Sequence, residues 1–488
     1  MNRDKIIKMS KFICIDKFII SLLVVLSYSC NPSLEKDEMP NIIMIMTDDL
    51  GWRDTGFNGN RIVQTPHLDR LAGEGVIFDR FYAASPVCSP TRASFLTGRN
   101  PLRMNIPNAN SGHMLQEEIT IPELLKEVGY ATGHYGKWHL GTLTKKILDA
   151  NRGGKKKLYE HFTNPADHGY DEFFCTESKV PTHDPMIKPT EYEGVESLRY
   201  GWQSIDNGDS SLSYGTSYWT APEVRETTNL EGSNARIIMD RVIPFINRSN
   251  QSGSPFFSTI WFHTPHLPVA TDDEHREVYS DQPLDIQLYY GAITAMDEQV
   301  GRLWSELERL NIDDNTILWF CSDNGPENGT PGSAGPFRER KRSLYEGGVR
   351  VPSFVMGKGV CPGGNRVLTP TLTSDYLPTI VELLGLTYPE DHPLDGVSIL
   401  PFINESVQER KGGIGFIYKD YDKVSWVSDR YKYISTNGMQ DFELYDLLID
   451  PSESQNIITQ KPSVASKMKT ELEEWLTSVS KSSNGEDY

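Results

Sequence analysis

The sequence predicts an α/β protein: a large doubly wound mixed sheet flanked by helices, followed by a smaller C-terminal α+β domain containing an antiparallel sheet. Three observations carry this reading. Apolar runs of strand length alternate with helix-length amphipathic stretches from residue 40 to about 385. Four of those runs stop at polar clusters, TDD, KWH, HTPH and SDN. Beyond about residue 400, short alternating runs precede one last helix.

Taken in order, PNIIMIMTDDLG at 40–51 is a continuous apolar run ending at two aspartates. Such a run suits a central strand covered on both faces. HLDRLAGEGVIFDRFY at 67–82 reads as helix then strand, and TIPELLKEVGYATGHYGKWHLG at 120–141 as helix, turn, strand and loop. ARIIMDRVIPFINRS leads into PFFSTIWFHTPH, and AITAMDEQVGRLWSELERL into NTILWFCSDNG, as two further helix–strand units. The middle of the chain, roughly 150–225, is rich in Gly, Ser, Thr, Pro and Tyr, with little periodicity. Long irregular insertions of this kind often shape pockets. Its Lys run, GGKKKL at 153–158, reads as a solvated loop. LTSDYLPTIVELLG returns to helix. GGIGFIY, VSWVSD, YKYIST and FELYDL then read as strands before the helix SVASKMKTELEEWLTSVS. The expected organisation is a leader over 1–30, a catalytic α/β domain over 39–399 and a C-terminal subdomain over 400–488.

With 488 residues, 38% hydrophobic and 10% aromatic, the chain can bury a large core. Its formal net charge of −19 argues against a nucleic-acid partner. An anionic small molecule is still admissible if a local pocket of Lys, Arg, His or metal receives it. The lysine-bearing start MNRDKIIKMSKFICIDKF and the short apolar run IISLLVVLSYSC have the form of a secretory signal. That run is too short for a transmembrane helix. LSYSC resembles a bacterial lipoprotein processing site with Cys30 lipidated after cleavage, although Ser27 stands where leucine is usual. The acidic KDE at 36–38 resembles a surface-export signal. Export to the periplasm or to the outer membrane or cell surface of a bacterium is therefore expected, with membrane attachment through Cys30. Cys88, Cys175, Cys321 and Cys361 show no framework spacing and no CxxC, which leaves a disulfide among the last three open and disfavours structural zinc.

Ligands of open α/β sheets bind outside the carboxyl ends of the strands, so the four polar clusters can converge. Asp48 and Asp49 at one strand end could be a helix cap or turn. Together with Asp323 and Asn324 at another, they form a hard, all-oxygen set suited to calcium or magnesium. Cys88 stands just before Pro90, at the start of a helix whose free N–H groups attract anions. A plain thiol there would have a depressed pKa. Thiolate sulfur matches hard metals poorly. The working atom at position 88 is thus expected not to be sulfur.

CSPTRASFLTGR at 88–99 resembles the C-x-P-x-R signature of the type I, formylglycine-dependent sulfatases of the alkaline phosphatase superfamily. The resemblance extends through TDDLGW at 47–52, GHYGKWHLG at 133–141, HTPH at 263–266, SDNG at 322–325 and KRSLYEGGVRVP at 341–352. LYDLLIDPSESQN at 444–456 looks like the family's C-terminal domain. The resemblance implies that a maturing, formylglycine-generating enzyme oxidises Cys88 to an aldehyde that hydrates to a geminal diol. Asp48, Asp49, Asp323 and Asn324, with modified Cys88, would hold one calcium ion in preference to magnesium. A diol oxygen would attack sulfur and expel the alcohol, and the second hydroxyl would then release sulfate.

In the same carry-over Arg92 holds the diol, and Lys137 and Lys341 neutralise the sulfate. His139 assists proton removal from the diol, and His263 protonates the leaving alcohol. His266 is expected in the pocket; His183, Asp184 and His168 are candidate substrate contacts. Arg99 is expected in a structural ion pair, and Glu346 packed near Lys341. The implied substrate is a sulfated carbohydrate, an algal polysaccharide such as ulvan or carrageenan in preference to a glycosaminoglycan. YGWQSIDNG at 200–208 and YGTSYW at 214–219 suit stacking on sugar rings or packing of the loop itself. The alternatives are a phosphonate or phosphodiester hydrolase with the same nucleophile, and an inactive carbohydrate-binding lipoprotein.

Overall fold

The apolar runs assemble into a ten-stranded mixed sheet in a computed structural model that describes residues 39–147, 149, 160–188, 213–357, 363–389 and 392–487. Its strands are β1 (Asn41–Thr47), β2 (Val76–Phe78), β4 (Ala131–Lys137), β5 (Glu172–Thr176), β6 (Trp219–Ala221), β7 (Val224–Arg225), β8 (Phe256–Trp261), β9 (Thr316–Ser322), β10 (Ser353–Met356) and β11 (Asn365–Val367). A short β3 (Phe81–Tyr82) pairs instead with β12 (Thr371–Leu372). The order is β11-β2-β10-β9-β1-β8-β4-β5-β6-β7. Its centre, β9-β1-β8-β4, is parallel throughout, so four carboxyl ends share one edge. Those are the ends carrying the four polar clusters.

Helices cover both faces, as continuous apolar strands require. Ile43 and Ile45 of β1, Ile260 of β8 and Phe320 of β9 pack with helices Pro66–Glu74, Asn234–Gln251 and Leu284–Leu310. On the other face Phe95, in helix Cys88–Thr97, meets Trp261 edge-on at 5.5 Å. Tyr376, in helix Tyr376–Leu384, lies 4.7 Å from Trp319. Alternate residues of one strand thus face opposite helical layers. Gly136 of β4 must be glycine: its φ is +106°, and a Cβ would lie 2.0 Å from the Trp261 carbonyl oxygen.

The C-terminal strands are β13 (Ile414–Tyr418), β14 (Lys423–Val427), β15 (Tyr431–Ser435) and β16 (Glu443–Asp446), joined antiparallel in sequence order. Helix Pro462–Ser483 packs Met468 and Leu472 against the face bearing Val424 and Leu444. The opposite face buries Ile414 and Phe416 against Val87 and Leu344. The small sheet therefore backs the segments that present Cys88 and Lys341. From Pro40 onward the chain is one compact unit.

Several expectations change. The 150–225 stretch, read as irregular, contains β5, whose apolar FFC core pairs in parallel with β4. Glu346 does not sit with Lys341; its Oε1 accepts from Lys432 Nζ at 3.1 Å, and its Oε2 accepts from Tyr82 and Arg350. Arg99 makes the expected ion pairs, with Glu118 at 3.3 Å and with Asp487. Cys175 and Cys321 are buried and free, and Cys361 lies outside the described residues. So do the leader with Cys30, the Lys run at 153–158 and the aromatic segment at 200–208. Among the described residues no helix is long and apolar enough to cross a membrane.

Candidate functional site

The parallel centre of the sheet delivers the clusters to one point. Asp48 and Asp49 follow β1, Lys137 ends β4, and Asp323 and Asn324 follow β9. Asp49 turns back with φ 68°, which lets its N–H donate to Asp323 Oδ1 at 3.1 Å. A non-glycine residue in this region carries strain typical of functional sites. Gly325 lets the SDNG turn close, because a Cβ there would lie 2.0 Å from the Gly347 carbonyl oxygen.

Three carboxylates and three cations interlock here. Lys137 Nζ donates to Asp48 Oδ2 at 2.6 Å, and Lys341 Nζ donates to both Asp49 oxygens at 2.6 and 2.8 Å. Arg92, one turn after Cys88 on the same helix, donates to Asp323 Oδ2 at 2.6 Å and to the Lys137 carbonyl at 3.2 Å. All six side chains are buried. Burial opposes the charge on Asp48, yet Lys137, His266, Arg92 and Lys341 together hold its carboxyl well below the usual range. Burial and the neighbouring Asp48 push Asp323 up to about 7. Burial also pushes the Cys88 thiol up, against the pull of Lys137 and Lys341. The depressed thiol expected from the helix N-terminus is therefore not found: desolvation outweighs the local cations.

The donor set fits a hard divalent cation. Asp48 Oδ1 and Asn324 Oδ1 are buried oxygens without a hydrogen-bond partner. The Asn324 amide is turned by its own donations to Asp49 Oδ1 at 2.7 Å and to the Gly325 carbonyl at 2.9 Å. Ligand atoms of Asp48, Cys88 and Asp323 lie within 4.8 Å of one another. Buried acceptors left without donors are costly unless something electropositive meets them. Asp48, Asp49, Asp323 and Asn324 are the residues that would hold such an ion, all of them oxygen donors.

Above this floor opens a cleft of about 400 Å3 lined by Cys88, His139, Lys341 and His266, with Asn110 and Lys179 beside them. His139, itself at φ 57°, has Nε2 2.8 Å from Asn110 Oδ1. The two histidines of HTPH part company. His263 is fully buried, with Nε2 2.8 Å from Thr176 Oγ1 and Nδ1 3.0 Å from Asn234 Oδ1, and it does not line the cleft. His266 lines the cleft, with Nε2 3.6 Å from Asp49 Oδ2. The proton-donor role assigned to His263 thus meets a ring already enclosed by two side chains.

The insertion residues lie elsewhere. His168 is buried, 2.6 Å from Thr163 Oγ1. Asp184 accepts from the Gly232 N–H at 2.6 Å, and His183 lies 3.7 Å from Asp272. None of the three lines the cleft. Asp272 also accepts from His275 Nδ1 at 2.6 Å, while His275 Nε2 lies 3.1 Å from Glu298. The Asp272 hydrogen bond and Glu298 raise His275 from 6.5 to about 9. The folded chain therefore holds that proton more tightly, and the gain is whole below the unfolded value and lost as pH climbs through the folded one. His275→Gln is expected to flatten a stability decline of about 1 kcal/mol across that window, read by urea unfolding at its two ends.

Lys179, Asn110, Thr176 and Asn234 were not singled out in the sequence. Lys179 had a signal: it follows the carboxyl end of β5, the same edge that carries the other clusters.

The chain is similar to known proteins in sequence and in fold. The family model described as Sulfatase matches residues 40–386, and that described as N-sulphoglucosamine sulphohydrolase, C-terminal, matches residues 335–481. The N-acetylgalactosamine-6-sulfatase of the dog, Canis lupus familiaris, is 32% identical over 403 residues, 78% of this chain and 69% of its own length. The crystal structure of Ps i-CgsB in complex with k-i-k-neocarrahexaose superposes with a TM-score of 0.75 at 27% identity, covering 90% of this chain and 92% of that one. A "6S-sulf" protein from work on the metabolism of multiple glycosaminoglycans by Bacteroides thetaiotaomicron gives a TM-score of 0.71 at 26% identity, covering 90% of this chain and all of that one (100%).

Proposed function

The chain belongs to the sulfatase family and is a sulfuric ester hydrolase acting on carbohydrate sulfate esters; from that premise we propose that it is exported and desulfates oligosaccharides cut from a sulfated polysaccharide. The observation that carries this reading is the buried set of three carboxylates and three cations beneath a polar cleft, with Cys88 at its edge. Our preference for an algal polysaccharide over a glycosaminoglycan is supported by the likeness to a protein bound to neocarrahexaose, beside the likeness to an N-acetylgalactosamine-6-sulfatase. The leader ending at Cys30 supports export and lipid attachment at a bacterial envelope.

The family generally uses formylglycine and a divalent metal. We assign the metal as calcium, held by Asp48, Asp49, Asp323 and Asn324, and formylglycine to position 88, made by a maturing enzyme. Together these groups would supply a hydrated aldehyde as nucleophile and a cation to polarise the sulfate oxygens. The chain's own residues do the rest. Arg92 is fixed by Asp323 and orients position 88 from one helical turn away. Lys137 and Lys341 place positive charge where charge develops on sulfate, in a site that needs no reorganisation. His139, steadied by Asn110, faces position 88 as the proton acceptor.

We move the proton-donor role from His263 to His266, the HTPH histidine that lines the cleft. His266→Ala is expected to lower kcat on a sugar sulfate about 10²–10⁴-fold. It should cost far less on an aryl sulfate, whose leaving group needs no proton. His263→Ala is expected to lower Tm instead, by unpairing Thr176 and Asn234. Equal losses on both substrates for His266→Ala would refute the reassignment.

The reading as a whole is tested by mass spectrometry of the tryptic peptide 81–92 from native-host protein, with sulfate release assayed before and after chelation. Formylglycine at position 88 and calcium-restored activity are expected. An intact thiol, in cells whose maturing enzyme modifies another protein, would overturn it in favour of a binding protein.

A further inference from the structure

The cations of the cleft are not equally occupied. Lys341 is held by both oxygens of Asp49, and Arg342 by both oxygens of Glu327, at 2.8 Å for the longer contact. Lys179 lines the same cleft, half-buried, and no carboxylate partner reaches it among the described residues. The carboxylates that act on it, Asp49 and Asp48, are already taken by Lys341 and Lys137.

A half-buried ammonium in an open cleft keeps part of its hydration and, with no carboxylate holding it, is available to an anion that enters the cleft. The scissile sulfate does not account for it. On the floor three carboxylates face three cations and balance, so a divalent cation already leaves more than enough positive charge for one sulfate monoester. Glu327 and Arg342 also balance each other at the rim. Lys179 is surplus to that balance, and it follows β5, on the far side of β4 from the strands that carry the metal-type residues.

Resting on the carbohydrate-sulfatase reading, we propose that Lys179 is a specificity-determining residue that binds a second anionic group of the substrate, a sulfate or carboxylate on the scissile sugar or its neighbour. The preferred substrate is then a saccharide with at least two anionic groups. Ser178 and Asn110 line the cleft beside it and can orient such a group through hydrogen bonds. The primary ammonium also matches sulfate and carboxylate as a point charge, without demanding one planar geometry.

The test measures binding to the full-length Cys88→Ala protein, which cannot turn over its ligand, with and without Lys179→Ala. Three probes are used: neocarrabiose monosulfate, neocarrabiose disulfate, and a hexuronosyl N-acetylgalactosamine monosulfate. Lys179→Ala is expected to weaken a dianionic probe on the order of 10- to 100-fold, the usual range for a lost charged hydrogen bond. It should leave the monosulfate within about twofold, with Lys179→Arg restoring most of the loss. Loss confined to the disulfate identifies a second sulfate, and loss confined to the uronate identifies a carboxylate.

Equal losses on all three probes would overturn the proposal and place Lys179 on the scissile sulfate. No loss on any would overturn it too, as would formylglycine-bearing wild-type enzyme that prefers the monosulfate. That enzyme releasing no sulfate from any sulfated saccharide is a different failure, and it would remove the carbohydrate-sulfatase reading itself.

Discussion

Replacing Cys88 with serine is expected to turn a catalyst into a reagent that reacts once. A serine there keeps an oxygen at the helix start, beside Lys137, Lys341 and Arg92, so one sulfuryl group can still be accepted. It has one hydroxyl, and that hydroxyl becomes the ester. Release of sulfate then waits for water to hydrolyse a buried sulfate ester, whereas a hydrated aldehyde would have a second hydroxyl to expel it. Steady-state turnover should fall by about 10⁴-fold or more, as when an essential nucleophile is removed. Mass spectrometry of peptide 81–92 from the C88S variant, after exposure to substrate, should show one added sulfuryl group. Sustained turnover by verified C88S protein would show that position 88 is not the nucleophile.

The second large effect lies behind the site. Lys432 is fully buried between Glu346 Oε1 at 3.1 Å and Glu453 Oε1 at 3.0 Å. Removing one partner of a buried ion cluster leaves charge without compensation, and Lys432→Met is expected to destabilise the fold by about 3–5 kcal/mol. Its pH dependence distinguishes this from lost packing. Burial and nearby Glu346 already hold Glu453 up to about 7, against the pull of Lys432. The folded state thus binds that proton more tightly than the unfolded chain, so its contribution is fullest at acid pH and fades as pH rises through 7. Without Lys432 the value rises further, so the deficit of the variant should be smallest near pH 5 and largest near pH 8, an order-of-magnitude expectation from linkage. A deficit independent of pH would assign the loss to packing.

The sheet and the floor of the site were legible because they follow from local rules. A continuous apolar run ending in DD, KWH or DN announces a buried parallel strand and its functional edge, and Asp48, Asp49, Lys137, Asp323 and Asn324 do meet there. Orientation within a cluster was not legible. HTPH offers two histidines, and only the path of the turn after β8 determines which ring faces the cleft. Lys179 was hidden because β5 is five residues long inside a stretch without periodicity. Glu346 was misplaced because its partner, Lys432, lies 86 residues away across a tertiary contact that no local pattern encodes.

The burial of the floor sets an order of events in the life of the chain. Cys88 is 3% exposed, and every residue of helix Cys88–Thr97 is buried beneath the helical layer and the C-terminal sheet. If position 88 is matured to formylglycine as proposed, a modifying enzyme would find little of the side chain or its flanking backbone in the finished fold. The oxidation would then have to come before strands β13–β16 pack on the far side of Val87. A chain that folded first would keep its thiol. The share of active molecules would be fixed at synthesis, by how fast the last seventy or so residues close over the first hundred, an estimate from the scale of domain-wise folding during synthesis.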